Sequence, residues 1–78
     1  MTKELYNMFM TSAEADKAKA LLSLELLGNK GVGIGDHSTE DYYKNAEEAL
    51  SMLVDADDRI TCLNLYYNKY KSKSQING

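Results

Sequence analysis

The sequence predicts an all-α protein: an antiparallel two-helix hairpin with a long, coiled-coil-like second helix, assembling as a homo-oligomeric helical bundle. Three observations carry that prediction. Between Tyr42 and Tyr70, the residues Tyr42, Ala46, Ala49, Leu53, Ala56, Ile60, Leu63, Tyr67 and Tyr70 recur in an unbroken alternation of four and three. Apolar side chains at that spacing fall on one stripe of an α-helix, the pattern of helices that pack lengthwise on a partner. Ala, Leu, Glu, Lys and Met, all good helix formers, dominate the composition, and there is no proline to interrupt them. A glycine-rich connection separates this stripe from an earlier helical segment, so the two can fold back on each other.

A chain of 78 residues makes one domain, near the lower size at which a single core stabilises a fold unaided. Small chains lean on disulfides, metals or other chains. Cys62 is the only cysteine, which excludes an intrachain disulfide, and His37 is the only histidine, which leaves no metal-ligand cluster. No metal and no cofactor are expected, and association remains. No run is long and apolar enough to cross a bilayer, and the start lacks the layout of a signal peptide, so the expected setting is soluble and intracellular.

The net charge is −3, unevenly distributed. All twelve acids lie at or before Asp58 against five lysines, a balance of −7, whereas Arg59, Lys69, Lys71 and Lys73 give the remainder +4. This asymmetry fits head-to-tail matching between chains or a basic end meeting an acidic partner. The plainer reading, a solvated face with a lysine-rich end, accounts for most of these charges.

Residues 1–71 are expected to form one helical-hairpin domain. Its first helix covers 3–27, with Thr2 as cap. Thr11-Ser-Ala-Glu14 is a second capping-box signature that could restart a helix at Ser12, but a threonine is tolerated inside a helix and a continuous one is favoured. Tyr6, Met10, Ala13, Ala20, Leu24 and Leu27 form one line, interrupted by Lys17; Leu5, Met8, Ala15, Leu22 and Leu26 form a second. The leucines from Leu21 to Leu27 cover more than half the circumference, which calls for two neighbours. Gly28 stands where a left-handed C-terminal cap favours glycine. Residues 28–38 form the loop, longer than most helix connections. Ser38 caps the second helix, 39–71, whose first turn carries Glu40 and Asp41 at the positive end of the helix dipole. Asp55 and Arg59, four apart in the favourable order, add an ion pair. Residues 72–78 read as a disordered tail.

Chemistry has few footholds. Lys30, Gly31, Gly33, Gly35, Asp36, His37 and Ser38 form a glycine-rich loop before a helix N-terminus, where free amides can hold an anion such as a nucleotide. The loop matches neither a Walker motif nor a dinucleotide fingerprint, and glycines supplying positive φ in a tight connection explain it more simply. His37 has no partner for catalysis, so no catalytic residue is assigned. Asp55, Asp57 and Asp58 sit on a helix and not in a calcium loop, which favours a solvated acidic face. Cys62 lies off the stripe with only Arg59 as a cationic neighbour, and no reactivity is assigned. Tyr66, Tyr67 and Tyr70 mix with Lys69, Lys71 and Lys73 as on nucleic-acid surfaces, but Tyr67 and Tyr70 continue the stripe and the chain is acidic, which disfavours nucleic acid.

The segment Gly-Val-Gly-Ile-Gly-Asp-His-Ser, residues 31–38, resembles a motif in a family of short uncharacterised proteins of large tailed bacteriophages. In that family a helix leads into Val-Gly-Ile-Gly-Asp/Glu-His and then a second helix with Ala-Asp/Glu-Asp-Arg/Lys near its middle. The matching residues here are Leu26-Leu-Gly-Asn29, Val32–His37 and Ala56-Asp-Asp-Arg59, so the likeness covers roughly residues 15–65. Family members often carry proline before the valine, where this chain has Gly31. The resemblance implies a viral origin and, carrying no known activity, no mechanism.

The expected function is therefore non-enzymatic: a phage-encoded interaction protein in the host cytoplasm that self-associates and binds another viral or host protein. The seam Ala46, Ala49, Leu53, Ala56, Ile60, Leu63, Tyr67 and Tyr70 would hold the oligomer and the loop would be displayed for recognition. The alternatives are an anion-binding protein using the loop and a minor structural component of the virion.

Overall fold

The first helix starts where the sequence offers a cap. In the computed structural model, which describes residues 1–30 and 39–70, the Leu5 amide donates to Thr2 Oγ1 at 3.1 Å and the Tyr6 amide to the Thr2 carbonyl at 3.0 Å. Thr2 so satisfies amides that helix geometry leaves without partners. Helix α1 then runs Lys3–Lys30 in one piece, and the capping-box signature at Thr11 starts nothing.

The expected end at Leu27 is corrected, because α1 continues through Gly28. Glycine inside a helix costs about 1 kcal/mol relative to alanine, too little to stop a helix supported from outside. That support is visible: the Tyr42 hydroxyl donates to the Leu27 carbonyl at 3.2 Å. Leu27 lies among the last four carbonyls of the helix, which have no partner within a regular helix end.

Helix α2 spans Thr39–Tyr67. The expectation of a helix to Lys71 is corrected in its last turn, where Asn68–Tyr70 tighten into a 3₁₀ turn. Such a turn gives the final carbonyls i→i+3 partners, and it brings the Tyr70 ring to 5.7 Å from that of Tyr6. The loop beyond Lys30 and the expected tail 72–78 lie outside the described residues.

The two helices pack antiparallel along their length, and among the described residues there is no strand. Contacts run in opposite chain order: Tyr6 hydroxyl to Asn64 Oδ1 at 3.5 Å, Asp16 to Arg59, Lys17 to Asp57, Leu27 to Tyr42. Every member of the α2 stripe is buried or half-buried, as is the α1 line Tyr6, Met10, Ala13, Lys17, Ala20, Leu24 and Leu27. The buried apolar set among the described residues is Tyr6, Ala13, Ala20, Ala49, Ala56 and Leu63. Four of these six are alanines, whose small side chains let the helices approach closely but remove little apolar area from water.

Candidate interaction surface

The seam predicted to join chains lines the contact between the two helices of one chain. Ala49, Ala56 and Leu63 are buried, and Ala46, Leu53, Ile60, Tyr67 and Tyr70 half-buried, against α1. The 4-3 spacing identifies a packing stripe without saying which helix packs on it, and the nearest available helix is the one attached by the loop. This is the sharing of apolar faces expected of an antiparallel hairpin, and it engages the stripe within one chain. Gly31, Gly33, Gly35, Asp36, His37 and Ser38, with the side chain of Lys30, lie outside the described residues.

Ion pairs flank the seam at mid-length on both sides. On one side Arg59 Nη2 donates to Asp16 Oδ2 at 2.8 Å while its Nε donates to Asp55 Oδ2 at 3.1 Å. On the other, Lys17 Nζ lies 2.9 Å from Asp57 Oδ1. Lys17 interrupts the α1 line in sequence, yet its stem lies on the apolar seam while its ammonium reaches the edge, as long cationic side chains do. These pairs are partly exposed and individually worth little, but they oppose any slip of one helix along the other. The Asp16 hydrogen bond raises the Arg59 pKa above its ordinary value, partial burial opposes it, and Asp55 adds attraction. A raised basic pKa stabilises the fold at every pH below the ordinary arginine value and is lost only as pH rises through the higher folded value. This contribution is constant through the neutral range.

The acidic residues read as a solvated face therefore include two bridge partners, Asp55 and Asp57. At the end where the chain starts, the Tyr6 ring lies tilted at 39° against that of Tyr70, and Lys69 Nζ sits 5.1 Å from the centre of the Tyr70 ring. Tyr70 is thus engaged within the hairpin, and Tyr66 is the exposed tyrosine of that group. Cys62 is exposed.

Outside the seam the hairpin exposes many large apolar side chains. Thirteen large apolar side chains among the described residues are 38–68% exposed, and no large side chain is fully buried. Half-exposed side chains of this size leave on the order of 1,000 Å² of apolar surface in water. Two grooves lie on the Arg59 side. One, about 450 Å³, runs between Leu26, Leu27, Ala49 and Met52 near the connection. The other, about 270 Å³, lies between Met1, Phe9, Cys62 and Leu63 at the opposite end.

Seven-residue spacing places their rims on one side of the molecule. On α1 the rows are Phe9, Asp16, Ser23 and Leu5, Ser12, Lys19, Leu26; on α2 they are Asn45, Met52, Arg59, Tyr66 and Glu48, Asp55, Cys62. Leu5 and Leu26 belong to the second α1 line, and the surface they share with α2 is not apparent from either helix alone. The signal was present as sevenfold rows, diluted by the charged residues in their middles. The opposite side carries Leu21, Tyr43, Leu50 and Val54 among Glu14, Glu47 and Asp57.

Among the described residues no group of three His, Cys, Asp or Glu side chains could hold a metal ion, and no helix is long and apolar enough to cross a membrane. Comparison of the chain with family models, with curated proteins and with solved structures gives no match.

Proposed function

We propose that this is a non-enzymatic helical interaction protein that acts by associating with other protein chains, itself among them. One observation carries the reading: among the described residues the hairpin buries six apolar residues, four of them alanine, and leaves thirteen large apolar side chains exposed. Monomers rarely expose apolar patches beyond roughly 300–600 Å² without a partner that covers them, and a standard interface takes about 800 Å² from each side. A phage origin, with action in the host cytoplasm on a viral or host protein, rests on the resemblance of Val32–His37 and Ala56–Arg59 to the phage family.

The test is absolute mass by light scattering across a concentration series, with far-ultraviolet circular dichroism on the same samples. A helical dimer or larger species is expected, dissociating and losing helix together on dilution. A fully helical single chain at every concentration would refute self-association.

A further inference from the structure

We infer that the Arg59 side is the contact with a second copy of this chain, related by a two-fold axis that runs across both helices and lays the two hairpins antiparallel, α1 on α1 and α2 on α2. This deepens the proposed function and rests on it. The argument is a coincidence of centres. On α1, Phe9 and Leu26, Ser12 and Ser23, and Asp16 and Lys19 are three pairs, each centred between residues 17 and 18. On α2, Met52 and Cys62, Asp55 and Arg59, and Glu48 and Tyr66 are each centred on residue 57. The Lys17–Asp57 bridge at 2.9 Å shows that these two centres stand side by side in the hairpin. A single axis therefore serves both helices, and a two-fold contact must be self-complementary in this way.

The pairs it makes are chemically matched. Phe9, 42% exposed beside the smaller groove, comes over Leu26 at the rim of the larger one, 52% exposed. Met52 comes over Cys62. In the middle, Lys19 of one copy meets Asp16 of the other, and Arg59 meets Asp55. Among the described residues Arg59 is the cation that serves both carboxylates, and Lys19 is exposed and in neither bridge. The second copy supplies the missing cation, and the central charges sum to zero.

Charge also selects the orientation and the side. Near the connection Glu25, Glu40, Asp41, Glu47 and Glu48 stand against Lys30 and Lys44; at the other end Lys3 and Lys69 outnumber Glu4. An antiparallel pair sets acidic end on basic end, whereas a parallel pair sets like on like. On the opposite side an axis at the same level would set Asp57 against its own copy.

The test uses disulfide trapping. With native Cys62 present, Met52→Cys should give a disulfide-linked dimer on oxidation. Wild type and Met52→Cys/Cys62→Ser should give none. Two Cys62 residues, two residues at 52, or 52 and 62 of one chain, each lie ten positions apart in level, about 15 Å, beyond disulfide reach. By light scattering, Phe9→Asp should raise the dimer dissociation constant at least tenfold, while Val54→Asp on the opposite side should not. Should Phe9→Asp fail to fold, the cysteine variants decide alone. An oligomer in which Met52→Cys does not link, or in which Met52→Cys/Cys62→Ser does, overturns this contact and leaves self-association standing. A wild-type monomer overturns both.

Discussion

Gly28 shows how one residue can point the wrong way when read locally. Glycine after a leucine-rich helix is a common stop signal because it adopts left-handed backbone without strain. Here it sits inside α1, and a Cβ built on it would meet no atom within 4 Å. Gly28→Ala is therefore expected to stabilise the hairpin by about 0.5–1 kcal/mol, since alanine loses less backbone freedom in a helix. Chemical denaturation followed by circular dichroism measures this, and a loss of stability would return Gly28 to the role of left-handed cap. Lys17 is the parallel case: a charge in an apolar line looks like a break, but its length lets it belong to the seam and to the Asp57 bridge together.

At the scale of the elements, the two helices are held by small residues. Ala13, Ala20 and Ala56 have no exposed surface, so the separation of the helices is set by methyl groups and cannot shrink further. A larger side chain there must push α1 away from α2 along the whole seam. Ala56→Leu should cost about 1–3 kcal/mol, the usual range for overpacking. Ala15→Leu, on the exposed outer side of α1, should change stability by no more than about 0.5 kcal/mol. Equal effects at the two positions, measured by urea titration, would mean that the alanine seam is not the helix contact. The spacing of the stripe was legible in sequence at every position from Tyr42 to Tyr70. Its partner within the chain was legible too, because two helices joined by one loop must fold back to share their apolar faces; the cross-helix ion pairs were not.

For the whole molecule, the balance between buried and exposed apolar surface governs behaviour. Under the proposed association a second chain covering the outer side would add to so small a core, and folding would be linked to association by mass action. The midpoint of thermal unfolding should rise by several degrees across a hundredfold increase in protein concentration. A midpoint independent of concentration would mean that the hairpin is stable alone and that its exposed side chains wait for a different protein.

By itself the sequence determined what is local: two helices, the Thr2 cap, the seam, and the sevenfold rows that line the outer side. These follow from spacings within a turn or two, where backbone geometry leaves side chains little choice of direction. Only the tertiary structure decided what depends on residues far apart in the chain. It carried α1 past Gly28 with the Tyr42 hydroxyl on the Leu27 carbonyl, and set Asp16 on Arg59 and Lys17 on Asp57. The physical reason is that a helix specifies its own faces through its 3.6-residue turn, whereas what each face meets is settled by close packing between segments, whose energies no single segment contains.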